Sequence, residues 1–117
     1  MSVPASVLPT TIAALPLVRP GTFVELVGVV VSERIGFVFL DFILDDSTGR
    51  IPVRYAFQQP ACRNLPETLE QYVRVVGRVL DTPFRHVSTE SVFLVESANE
   101  ISYHTIAAAH AYLHFTQ

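Results

Sequence analysis

The sequence contains no lysine, so all eight of its basic side chains are arginine. Arginine is the residue suited to stacking and to two-pronged phosphate contact, although a lysine-free composition also fits a simple genome bias. Eleven acidic residues outweigh those eight and leave a net charge of −3. A basic nucleic-acid footprint over the whole chain is thereby excluded. There is a single cysteine, Cys62, which rules out an internal disulfide and fits a reducing compartment. Long apolar runs are missing too. The most apolar stretch, residues 23–44, is broken by Glu25, Glu33, Arg34 and Asp41, so no membrane span is expected. The first residues carry no basic start and are interrupted by Pro4, Pro9 and Pro16, unlike a secretory signal. These absences predict a soluble intracellular chain.

Catalytic signatures are equally scarce. No GxSxG, P-loop or HExxH pattern occurs. Asp45 and Asp46 sit together, but the Ser-Thr-Gly that follows makes them turn residues rather than an acid–base pair. His110 and His114 have the i, i+4 spacing of a metal-binding pair, yet no third ligand accompanies them and His104 lies at another azimuth. No enzymatic activity, metal or cofactor is predicted.

With 117 residues, half of them hydrophobic, the chain has room for one domain and one core. From Phe23 onward the apolar residues take a period of two, with Phe23, Val27, Val29 and Val31 on one face and Val24, Leu26, Gly28 and Val30 on the other. This density of β-branched residues predicts a strand, with Gly28 as a bulge or bend and a turn over residues 32–35. A second strand covers 37–44, with Val38, Leu40, Phe42 and Leu44 on one face and Phe37, Phe39, Asp41 and Ile43 on the other. Residues 45–49 form a turn in which Gly49 supplies a positive φ, and a third strand covers 50–57. A short helix at 65–69 connects to strands over 72–80, with Gly77 inside, and 91–95. Three strands, a helical connector and two more strands match a five-stranded OB-fold barrel. Residues 1–21 are predicted as an arm lying on the barrel, with a helical turn near residues 10–15. The barrel occupies 22–97 and a C-terminal assembly helix 98–117.

That helix opens on Ser97-Ala98-Asn99-Glu100, a capping-box pattern. From Ile101 to the end there is no Asp, Glu, Lys or Arg. Ile101, Thr105, Ala108, Tyr112 and Phe115 form one stripe, and Ile106, Ala109 and Leu113 a second beside it. A surface helix ordinarily has a polar back; this one offers Ser102 and three histidines. It needs cover on more than one side, and the predicted cover is helices of partner chains. The predicted subunit interface is Ile101, Thr105, Ala108, Ala109, Tyr112, Leu113 and Phe115. A weaker expectation concerns single-stranded DNA, which OB barrels hold by stacking bases on aromatics beside arginines. The candidates are Arg54, Tyr55, Phe57, Arg74, Phe84 and Arg85, with Arg50 and Arg78 flanking them.

The residues from about Val7 to Leu113 resemble the middle subunit of replication protein A, the single-stranded-DNA-binding heterotrimer. The resemblance rests on 8-LPTTI-12, 24-VELVGVV-30, 43-ILDDSTG-49 followed by 52-PVR-54, then Pro66-Glu67 leading to 72-YVRVVG-77, and finally 99-NEI-101. It implies that the terminal helix joins helices of a large and a small OB-fold subunit, that the barrel makes a modest DNA contact, and that the chain is nuclear. Middle subunits of telomere-capping and telomerase-associated trimers share this plan and fit equally. An independent single-strand binder and a homodimer joined through the helix are the other readings. The family's stacking tryptophan falls on Ala56, and its second aromatic matches Phe84 only with two residues inserted. Its phosphorylated tail and winged-helix domain have no counterpart in these residues.

Overall fold

The thirteen-residue strand Phe23–Ile35 (β2) organises the molecule, because it pairs with two different strands along its length. The structure, a computed structural model, describes residues 7–36, 38–56 and 70–115, with side chains as far as Leu113. Residues 23–29 of β2 run antiparallel to Tyr72–Leu80 (β5), while residues 29–35 run antiparallel to Phe39–Asp45 (β3). β3 pairs with Arg50–Ala56 (β4), β4 runs parallel to His86–Leu94 (β6), and β6 returns antiparallel to β5. These five strands close into a barrel. The predicted OB-type barrel with a terminal helix is therefore present, with Leu8–Pro9 (β1) added as a sixth, parallel strand on β2.

Closure brings backbones closer than a side chain tolerates. A Cβ at Gly28 would stand 2.6 Å from the Asp45 carbonyl oxygen, and one at Gly77 would stand 2.6 Å from that of Ser88. Glycine at both positions lets the strands cross tightly. The register slip in β2 lies between Val30 and Ser32, two residues beyond the bend expected at Gly28. Nor do residues 32–35 form a turn. They continue β2 as a ribbon with β3 that extends past the barrel, where water on both faces suits Ser32, Glu33 and Arg34.

The inward face is aliphatic: Val24, Leu26 and Val30 meet Leu40, Phe42 and Leu44, with Ile51, Val53, Val73, Val75, Val79 and Val87 closing the core. The alternation expected for β3 holds from Phe39 on, with Leu40, Phe42 and Leu44 buried and Phe39 facing out, but Val38, expected on the inward face, is exposed and precedes the strand. β6 starts five residues before the strand expected at 91. Its polar residues 88–90 read as loop, but Thr89 turns inward and its hydroxyl donates to backbone carbonyls of Val76 and Ser91. A satisfied polar group is compatible with burial. The connector helix expected at 65–69 falls outside the described residues.

The N-terminal arm does more than lie on the barrel. A 3-10 helix, Ile12–Leu17, drives Ile12, Leu15 and Val18 into the core. Burying one such side chain is worth about 1.5–3 kcal/mol. Thr11 caps this helix by accepting from the Ala14 amide, and the β3–β4 turn completes the cap: Asp46 Oδ2 accepts from the Ile12 amide at 2.8 Å, and Thr48 Oγ1 accepts from the Ala13 amide at 3.0 Å. In the same turn the left-handed residue is Ser47 (φ 74) rather than Gly49, made tolerable by Asp45 accepting from the Ser47 amide.

Candidate nucleic-acid interface

The outer face of the β3–β4 hairpin alternates charge and apolar surface, and its cross-strand pairs set the geometry. Asp41 stands opposite Arg54, Ile43 opposite Pro52, and Phe39 opposite Ala56. Asp41 accepts two bonds from the Arg54 guanidinium, at 2.8 and 3.0 Å, and that guanidinium lies 4.4 Å from the centre of the Phe39 ring. The Arg54 bonds are the main reason the Asp41 carboxyl is held below its ordinary range, with the charges of Arg34 and His86 adding to the effect.

This face forms the floor of a groove of about 380 Å³. Arg34, Asp41 and Arg54 line one side, and Thr82, Pro83 and Phe84 from the β5–β6 connection, with His86 at the start of β6, line the other. Phe84 is 57% exposed, and His86 lies beside it with ring centres 5.4 Å apart. A groove over this sheet face, walled by the two flanking loops, is where OB barrels hold oligonucleotides. Two arginines against one aspartate leave it locally cationic on a chain that is negative overall.

Of the six predicted DNA-binding residues, the fold brings together Arg54 and Phe84. Tyr55 points the other way and packs on the core, because its strand position shares a face with Ile51 and Val53. Arg85 is directed away from the groove, donating to Asp81 and, at 2.6 Å, to the Leu15 carbonyl of the 3-10 helix. Arg74 lies on the side of the barrel that carries the terminal helix, over the Phe93 ring and 3.8 Å from Glu25. Phe57 lies outside the described residues. Of the flanking pair, Arg50 is bound to Asp45 and Arg78 stacks over Phe23. Sequence reasoning passed over Arg34 and His86 because both fell in segments read as turn or loop. The outward parity of Phe39 was legible, but its proximity to Arg54 depends on register.

The helix Ala98–Phe115 (α1) packs one face on β1 and β2. Ser97 caps it through the Asn99 amide, and Glu100 reaches back to the Glu96 amide at 3.0 Å. The buried residues on this face are Ala108 and His104. His104 is thus no part of a solvated back. Its Nε2 donates to the Thr10 carbonyl at 3.1 Å and its Nδ1 to Glu25 at 3.0 Å. That bond is the first cause holding the Glu25 carboxyl below its ordinary range, ahead of the charges of His104 and Arg74 and against the effect of burial.

The residues predicted as interface consequently divide. Ala108, 3% exposed, is covered by the chain's own barrel and is withdrawn from any outer seam. Ile101 is half-buried on the same side, and Thr105 bonds its own helix through the Ile101 carbonyl. Ala109, Tyr112 and Leu113 are exposed, while the Phe115 and His114 side chains lie outside those described. Opposite the docked face, Tyr103 and Ile106, 76% and 71% exposed, join Leu113 in an apolar stripe. Tyr103 was absent from the predicted set. Among the described residues no cluster of three or more His, Cys, Asp or Glu is placed to hold a metal, and no helix is long and apolar enough to cross a membrane.

No protein-family model and no curated protein sequence matches the chain. Solved structures do. A chain of a replication protein A heterotrimer bound to single-stranded DNA superposes with a TM-score of 0.78 at 24% identity, over 96% of this chain and 99% of that one. A chain of yeast replication protein A bound to single-stranded DNA gives 0.73 at 18% identity, over 96% and 93%. A chain of the Stn1–Ten1 complex of S. pombe gives 0.71 at 15% identity, over 80% and 73%. The barrel, its N-terminal arm and its terminal helix together therefore constitute one fold, shared with chains of replication protein A and of the Stn1–Ten1 pair.

Proposed function

We propose that this chain is a non-catalytic OB-fold subunit of a multi-protein complex that binds single-stranded DNA, nuclear like the complexes it resembles. It assembles through α1 and touches the strand weakly through the β3–β4 groove. The observation that carries this reading is the second face of α1, where Tyr103, Ile106 and Leu113 remain exposed after the first face has docked. Burying three such side chains yields roughly 5–9 kcal/mol. Association costs about 4–15 kcal/mol, so a single flat contact is marginal. Helices from two partners, covering Tyr112 and Ala109 as well, make the assembly stable. This favours a large and a small subunit over a lone partner. On the DNA side, each stacked base contributes about 1–3 kcal/mol, and one or two contacts give a subunit that supports binding by the complex rather than dominating it.

Co-expression with large- and small-subunit homologues from the same organism tests the assignment. The expected product is a 1:1:1 complex by mass, lost in an Ile106→Glu, Leu113→Glu double variant whose isolated melting curve is unchanged. A monodisperse monomer indifferent to those partners overturns it. A symmetric dimer of the chain alone gives the helix face to a second copy instead. Recovery only with telomere-capping subunits places the chain in a complex of the Stn1–Ten1 type, the kind of chain it also superposes on.

A further inference from the structure

The groove has a second aromatic at its edge that is not among the candidates the sequence offered. Phe39 opens β3 with its side chain on the outer face and 36% exposed. Directly across the ladder stands Ala56, which brings only a methyl group to that face. Arg54 lies against the ring with its guanidinium carbon 4.4 Å from the centroid, and Asp41 fixes that guanidinium with bonds at 2.8 and 3.0 Å. Such a fixed arginine behaves unlike a free one. Its charge is already matched by a carboxylate, so it offers little to a phosphate, but its plane is rigid and parallel surfaces stack on it at low entropic cost.

Among the described residues two further guanidinium-over-ring pairs exist, Arg74 over Phe93 and Arg78 over Phe23. Both belong to β5 and its neighbours, away from the groove, and Arg74 is turned toward Glu25 and α1. Only the Phe39–Arg54 pair adjoins a groove whose opposite wall carries an exposed aromatic, Phe84. Arg34, also lining the groove, is the cation placed for the backbone between them.

We propose that Phe39, which lies beside the groove against its lining residue Arg54, is a base-stacking platform for single-stranded DNA, so that the strand is gripped at Phe84 within the groove and at Phe39 next to it. The proposal rests on the groove's assignment to single-stranded DNA. Stacking on an aromatic is sequence-tolerant and worth about 1–3 kcal/mol per base, so removing the ring weakens binding by roughly 5- to 150-fold.

The absence of tryptophan from the chain provides a clean reporter. Phe39→Trp in the full-length chain introduces a lone indole, and titration with oligothymidine is expected to quench its fluorescence along the same isotherm as the anisotropy of a labelled oligonucleotide. Phe39→Leu, which keeps an apolar side chain without the ring, is expected to weaken that isotherm by at least fivefold with an unchanged melting curve. Phe84→Ala serves as the comparison. If Phe84→Ala weakens binding while Phe39→Leu does not and the Phe39→Trp indole is unquenched, the platform is refuted and the groove stands. If the wild-type chain and all variants fail to bind at millimolar oligonucleotide in low salt, the groove assignment falls and takes the platform with it.

Discussion

His104 joins three parts of the molecule through one ring. Its two nitrogens face a backbone carbonyl of the arm and a carboxylate of β2, so one ring ties the helix to both. Replacing it with leucine keeps bulk but strands Glu25 and the Thr10 carbonyl, at a cost of about 1–3 kcal/mol, readable as a lower midpoint in urea. Acid acts through the same pair. The folded-state pKa of Glu25 is depressed below the ordinary carboxylate range, so its contribution is fully present above that range and is lost as pH falls through the lower, folded value. Amide exchange along α1 is expected to rise in that acid window, and Glu25→Gln is expected to remove the dependence. Arg85 makes a sharper contrast with the sequence reading. A phosphate contact and a structural bond have opposite signatures, and the 2.6 Å bond to the Leu15 carbonyl predicts that Arg85→Ala loses about 1.5–3 kcal/mol of stability while oligothymidine affinity stays within twofold. Neither role was visible in the sequence, because both depend on partners 70 or more residues away.

At the scale of elements, what was legible depended on how local the cause was. The alternation of β3 and the aspartate-rich turn are local patterns, and both were read correctly apart from which residue takes the left-handed backbone. The uncharged stretch after Glu100 raised the expectation of cover on two sides of α1, and the fold supplies one of them. Which side met the barrel was not legible, because Ala108 and Ala109 are equivalent in composition and differ only in azimuth. The difference is measurable. Ala108→Glu forces a charge into a closed contact and is expected to destabilise the isolated chain by several kcal/mol, whereas Ile106→Glu is expected to leave it within about 0.5 kcal/mol. The arm was the larger surprise. A proline-rich start looks like a surface segment, yet Leu15 is 1% exposed, and Leu15→Ala is expected to cost about 2–5 kcal/mol in a thermal or denaturant melt.

For the whole molecule, closure and charge matter most. The barrel closes because β2 serves two neighbours and Gly28 and Gly77 permit the approach. Spread over that surface, a net charge of −3 leaves little long-range attraction for a polyanion. On the proposed reading, binding rests on short-range stacking and one or two phosphate contacts. The expected signature is a shallow salt dependence, a slope of log K against log salt between about −0.7 and −1.4 for a single strand. A much steeper slope would reveal cationic contacts beyond the groove.

The short arm has a consequence for how the two working surfaces relate. Arg85, next to Phe84, is bolted to the Leu15 carbonyl; Ile12 is bolted to Asp46; Thr10, at the arm's other end, is bolted to His104 on the helix. Fewer than ten residues thus act as a common strut between the wall of the groove and the helix that faces outward. A load applied at one attachment is borne at the other. The loop that walls the groove and the terminal helix are braced to a single beam.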